Sequence, residues 1–203
     1  MQIVKIFIAS SKELEQDRRE IELLIARINY SWVEQKEIYL KPVIWEDFLD
    51  VMSKTRLQDE YNKEIVKCDI FLMLFQSKVG KFTLEEFKTA VGEFKANNRP
   101  FIFTYFKDLA VTQAQSSDEL AESLQKFQKL LSKLGHFKST YKNIDEFKYK
   151  FKDQLGKLAA NKFEKLSDAD ARELAKIGVA NFTNTFTGFK SGGDITITIN
   201  QSK

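Results

Sequence analysis

The sequence predicts an α/β fold: a flavodoxin-like, five-stranded parallel sheet with helices on both faces. Three observations predict it. Strand and helix patterns alternate from residue 3 to about residue 160, the order that winds a parallel sheet between helices. Two runs, 69–75 (DIFLMLF) and 101–106 (FIFTYF), are apolar throughout, as strands covered on both faces are. The chain also opens with a short strand, a small-residue turn and a helix, the start of a βαβ unit. Five strands with five helices suit the order 2-1-3-4-5.

Each element has its own signal. Residues 4–8 (VKIFI) are a short β-rich strand. Ser10 or Ser11 caps the next helix, with Glu13 in its first turn. Leu14, Arg18, Ile21, Leu24, Ile25 and Ile28 then recur at helical spacing. Residues 38–45 (IYLKPVIW) form a second strand, which Pro42 confines to an edge or a bulge. A polar loop, 46–55, leads to a helix over 56–67 with Leu57, Tyr61 and Ile65 marking its faces. After the strand at 69–75, Thr83 caps a helix to about residue 96, with Glu85 and Glu86 in its first turn and Pro100 beyond its end. The strand at 101–106 is followed by a loop and a helix from Ser117 to about 134, ended by Gly135. HFKSTY (136–141) is a short strand. The last helix is capped by Asn143 and carries Phe147, Phe151, Leu155 and Leu158 on one face.

Past residue 160 the pattern changes. Half of the eight glycines fall between Gly178 and Gly193. Residues 167–177 read as a short capped helix. Ile195, Ile197 and Ile199 alternate with polar residues, as in a half-buried strand. The expected organisation is an α/β domain over 1–160 and an extension over 161–203. The extension is too short for a core of its own and is expected to pack on the domain, on a second copy in assembly, or on a further domain downstream.

Composition removes several classes. The 203 residues are 43% hydrophobic and 30% charged, ordinary for a globular chain. No run of about 18 apolar residues spans a membrane, and the N-terminus does not read as a signal peptide. Cys68 is the single cysteine, which points to a reducing cytoplasm. With His136 the single histidine, a closed zinc site of nitrogen and sulfur ligands is not expected, and His136 is a weak candidate for a hydrolase triad. The 32 basic and 29 acidic residues are interspersed, a solvated surface rather than a nucleic-acid footprint. Neither GxGxxG nor a P-loop is present, which argues against a Rossmann oxidoreductase or a P-loop NTPase.

Open α/β sheets bind ligands beyond the carboxyl ends of their strands. Three segments reach that edge: Ala9-Ser10-Ser11, Trp45-Glu46-Asp47, and residues 76–86. Backbone N–H groups at Ser10-Ser11 suit a phosphate or carbonyl, or simply a helix cap. Trp45 stacks on a ligand ring or packs in the core. Glu85 and Glu86 point about 100° apart on a helix. Glu86 falls on the inner side with Ala90, next to Phe82, where a carboxylate can hold ribose hydroxyls or stabilise an oxocarbenium ion. Composition alone favours plain complementation of the helix dipole.

KIFIASSKELEQDRREIELLIARIN resembles the first strand and helix of TIR (Toll/interleukin-1 receptor) domains, the bacterial TIR-like group above all. IWED is similar to the end of their second strand. LQDEYNKEIVKCDIFLMLFQSKVGKFTLEEFKTA is similar to the helix, third strand and glutamate-bearing segment that follow. The resemblance covers roughly residues 3–158. FIASS replaces the usual aromatic or histidine segment, Phe82 stands nearest to where a tryptophan is usual, and the loop after Trp45 lacks the typical glycine.

The resemblance implies an NAD+ glycohydrolase or cyclase that cleaves the nicotinamide–ribose bond. Glu86, followed by Phe87, matches the catalytic glutamate; Ser10, Ser11, Trp45 and Phe82 fall at substrate contacts. NAD+ is then the substrate, with no separate cofactor. It further implies a cytoplasmic effector of bacterial antiphage defence, activated by assembly into a homo-oligomer or filament once an upstream sensor triggers it, without nucleic-acid or membrane partners. Two alternatives stand beside it. One is a non-catalytic TIR-like self-association or adaptor module. The other is a nucleoside 2-deoxyribosyltransferase-like enzyme, whose DxGTxxE-like segment SKVGKFTLEE matches poorly.

Overall fold

The computed structural model describes residues 1–44, 57–77, 81–108, 118–134 and 139–163. The expected helix at 167–177, the strand at 194–199, Trp45 and His136 lie outside them. Five parallel strands, β1 (Gln2–Ser10), β2 (Ile38–Val43), β3 (Ile70–Phe75), β4 (Phe101–Lys107) and β5 (Ser139–Tyr141), pair in the order β2-β1-β3-β4-β5. Among the described residues five α-helices accompany them: α1 (Glu15–Lys36), α2 (Leu57–Val66), α3 (Lys81–Asn97), α4 (Asp118–Lys133) and α5 (Ile144–Ala160). This is the flavodoxin-like arrangement expected from the alternation.

Strand β3 is buried at all six positions, because it lies between β1 and β4 and both its faces are covered. Alternate residues serve two cores. Val4, Ile6, Ile8, Leu72 and Leu74 meet Ile21, Ile25 and Ile28 of α1 and Phe147, Phe151 and Leu155 of α5. Phe7, Phe71, Met73 and Phe75 meet Tyr61 and Ile65 of α2, Phe87 of α3 and Phe127 of α4. The abundance of phenylalanine is spent here: Phe75 stacks on Phe106 at 5.0 Å, and Phe127 touches both Phe75 and Phe87 at 4.8 and 5.0 Å. Strand β2 is the sheet edge that Pro42 requires. The Asn29 side chain caps that edge, exchanging two 2.8 Å hydrogen bonds with the backbone of Leu40.

Several helix starts differ from expectation. Helix α3 begins at Lys81, two residues before Thr83. Thr83 is buried on the inner stripe instead of capping. Glu85 and Glu86 therefore sit in the second turn, beyond the strongest part of the N-terminal dipole. Ser11 does precede the first helical turn, a 3-10 turn over Lys12–Leu14, but makes no side-chain cap bond. Its hydroxyl donates to Glu13 instead. Asn143 behaves as expected, accepting from the Glu146 N–H at 2.9 Å.

The helices run back against the strands, so the carboxyl ends of the strands and the N-termini of the helices share one pole. At the other pole Asp69 accepts from the Lys5 N–H at 2.9 Å and pairs with Arg99. Arg99 also donates to the carbonyl of Phe163, whose side chain is fully buried.

Candidate active site

Helix α3 turns one stripe toward the sheet and α2: Thr83, Glu86, Phe87 and Ala90, all buried, spaced i, i+3, i+4, i+7. A glutamate on such a stripe is costly unless something meets its charge. Glu86 is 9% exposed. Its partner is Gln58, itself 6% exposed, at the start of α2. The Gln58 amide also donates to Asn62 Oδ1 one turn on (3.5 Å), and Asn62 donates to Glu85 Oε1 at 3.0 Å. An amide pair on α2 thus serves both adjacent glutamates of α3.

Burial dominates the electrostatics of Glu86 and pushes its carboxyl up to about 7; the Gln58 hydrogen bond opposes the shift and the neighbouring Glu85 adds to it. Near neutral pH Glu86 is divided between an acid that can donate and a carboxylate that can stabilise a cation or take a proton. Glu85 is half-buried against Asn62, not the solvent-facing acid the helical wheel suggests, because α2 packs along that flank of α3.

Ser10 and Ser11 end up in a second cluster, where β1 and β3 reach the carboxyl pole. The sheet order reverses between these strands, so this is the topological switch point. Arg18, 1% exposed, donates to Ser10 Oγ at 2.5 Å and to the Ser11 carbonyl at 3.1 Å. Glu13 reaches across to the segment after β3. One of its oxygens accepts from Ser11 Oγ (2.9 Å) and the Ser77 N–H (3.1 Å), the other from Ser77 Oγ (2.6 Å). The structure therefore brings the two serines together with Arg18, Glu13 and Ser77, and brings Glu86 together with Gln58. Phe82 lies in the first turn of α3, and its side chain, like Trp45, falls outside the described residues.

A third cluster closes the same pole over β4 and β5. Asp17, 6% exposed, accepts from Lys107 Nζ (2.9 Å) and Tyr141 Oη (2.8 Å). Burial and the Asp17 carboxylate raise the Tyr141 phenol well above its ordinary range. Cys68 is buried and its thiol is pushed up to about 12, mainly by desolvation, which makes it unreactive.

Gln58, Asn62, Arg18 and Ser77 were not singled out by sequence reasoning as site residues. Arg18 carried a usable signal: an arginine at an apolar position of the α1 stripe is a charge folded inward. Gln58 and Asn62 carried none, since their role comes from how α2 lies against α3. Among the described residues no group of three or more His, Cys, Asp or Glu is placed to hold a metal ion. No helix among them is long and apolar enough to cross a membrane.

Residues 5–156 match the family model described as "Domain of unknown function (DUF4062)". No curated protein matches the chain. Among solved structures, the Clostridium botulinum CMP N-glycosidase BcmB is 18% identical, with a TM-score of 0.44 over 73% of this chain and 98% of that one. An NADPH-quinone reductase from P. pentosaceus is 13% identical, with a TM-score of 0.30 over 90% of this chain and 99% of that one. Likenesses this distant say nothing of activity.

Proposed function

This chain belongs to the DUF4062 family, and we propose that it cleaves the N-glycosidic bond between nicotinamide and ribose in NAD+, with Glu86 as the catalytic carboxylate. The observation that carries the proposal is the placement of Glu86: a buried carboxylate near the carboxyl pole of the sheet, met among the described residues by the Gln58 amide. The TIR resemblance supports the same residue by an independent route.

The chemistry asks little acid assistance. The C1′–N bond breaks with its electron pair going to nicotinamide, which leaves as a neutral ring. Positive charge grows on C1′ and O4′ of the ribose. A preorganised carboxylate in a water-poor site stabilises that charge, an effect worth several kcal/mol, and orients the ribose hydroxyls. Water then adds to C1′, and its proton passes to Glu86 and on to solvent. If the adenine ring of the same molecule attacks instead, the product is cyclic.

In this reading the remaining roles follow the resemblance: an effector of antiphage defence, active in an assembled state; the pattern of the C-terminal extension, apart from it, suits a part in assembly. The test is direct. Purified full-length protein at high concentration is incubated with NAD+ and nicotinamide release is followed; Glu86→Gln should lower the rate by about 10²–10³-fold with the fold intact. A fully active Glu86→Gln protein removes the assignment. Cleavage of nucleosides but not NAD+ would favour the deoxyribosyltransferase-like reading, and no cleavage of either by assembled wild type would favour the adaptor module.

A further inference from the structure

Helix α1 carries two apolar stripes, and the fold uses one of them. Ile21, Leu24, Ile25, Ile28 and Trp32 are buried against the sheet. At about 100° per residue, Leu23, Ala26, Tyr30 and Val33 line up on roughly the opposite side of the helix. All four are exposed, Leu23 by 52%, Tyr30 by 88% and Val33 by 37%. An outward face that met only water would carry polar residues. The alternating steps of three and four residues are instead the seam by which helices pack on one another. The seam is about 15 Å long. It presents apolar surface on the order of a few hundred Å2, the size at which surface patches mark an interface.

We propose that this seam joins two copies of the chain, α1 against α1, antiparallel about a two-fold axis beside residue 28. Self-complementarity selects a second copy as the occupant. The pairs Leu23/Val33 and Ala26/Tyr30 share one midpoint. A single antiparallel register therefore sets Leu23 on Val33 of the second copy and the small Ala26 against its large Tyr30, in both directions at once. A parallel pair would set Ala26 on Ala26 and Tyr30 on Tyr30, a gap beside a crowd. Charge agrees with the antiparallel choice. Arg27 and Glu34, both exposed, lie two turns apart on one flank of the seam. Antiparallel packing brings like flanks together, so each Arg27 faces Glu34 of the other copy. The patch is smaller than the ~800 Å2 per partner of a standard interface, which makes the dimer weak and dependent on concentration, with the two tyrosines at its centre. This goes beyond the cleavage reading, since it needs no bond to break.

The experiment is sedimentation of the full chain from micromolar to submillimolar concentration. Wild type should move from the mass of one chain to that of two. Tyr30→Glu, at a position too exposed to matter to the fold, should keep the circular dichroism spectrum and weaken association by about 30-fold or more, the loss expected of a central tyrosine. Arg27→Glu should weaken it less, and adding Glu34→Arg to Arg27→Glu should restore it. Oxidising a mixture of Ala26→Cys and Tyr30→Cys proteins should give the mixed disulfide in preference to either homodimer; the native Cys68 is buried and does not compete. A single-chain mass for wild type throughout overturns the proposal, and leaves the seam to another part of the same chain or to a different protein. So does association that Tyr30→Glu leaves unchanged, a double charge reversal that fails to restore it, or a preference for the homodimer disulfides. Nicotinamide release enters none of these measurements, so loss of the cleavage reading leaves the dimer standing, and the reverse.

Discussion

Two carboxylates sit about equally deep near the carboxyl pole of the sheet, and they are treated oppositely. Asp17 faces an ammonium and a phenol, which tie α1 to β4 and β5. Glu86 faces an amide and a second acid, between two helices on the other face. A buried charge met by a countercharge holds elements together. A buried charge left with a neutral partner keeps its proton longer, at the expense of the fold. The first arrangement is structural; the second is what an active site needs.

The contrast can be broken by mutation, and the largest stability change is expected at Asp17. Asp17→Asn removes the charge opposing Lys107 and should destabilise the chain by about 2–4 kcal/mol, read as a lower urea midpoint at pH 7. A midpoint within error of wild type would mean that Lys107 finds water or another acid without cost.

At Glu86 the sign reverses. Its folded value, about 7, lies above the 4.5 of an ordinary glutamate, so the native state holds the proton more tightly than the unfolded chain. The native state is favoured below pH 4.5 and loses that advantage as pH rises through 7. Glu86→Gln, which never ionises, should therefore match wild type near pH 4 and exceed it at pH 8, by on the order of 2–3 kcal/mol. Equal stability at both pH values would show that the carboxylate is hydrated after all.

The smallest of these effects sharpens the role of the amide pair. If the carboxylate form of Glu86 is the active one, NAD+ cleavage rises with pH through about 7. Gln58→Leu removes the hydrogen bond that favours the charged form and should move that midpoint up, by about one pH unit. Glu85→Gln removes a like charge, should move it slightly down, and should keep most activity. A carboxyl NMR titration of Glu86 in the same variants reads these shifts whether or not the protein cleaves NAD+.

How much of this was legible in the sequence differs between elements. Strands β3 and β4 announce themselves as apolar runs because each is covered on two faces. The Asn143 cap is local chemistry and reads directly. The inward turn of Glu86 follows from its spacing to Ala90, which needs only the helical period. The start of α3 was misplaced because Thr83 is a good cap by type, yet its position on the buried stripe decided otherwise. The Asn62–Glu85 bond between α2 and α3 and the Glu13–Ser77 clasp join segments 23 and 64 residues apart, and no local pattern encodes them.

The far pole carries a different consequence. Arg99 grips the carbonyl of Phe163, Gln2 donates to the carbonyl of Lys162 at 3.0 Å, and the Phe163 ring is sealed in the core. The backbone of the α/β domain is thus moored at its last described turn, on the side away from the strand carboxyl ends. Any pull or load passed along the chain from residue 164 onward meets that mooring first. It enters the domain through β1 and the approach to β4, and the second turn of α3, with Glu85 and Glu86, stands at the unburdened end.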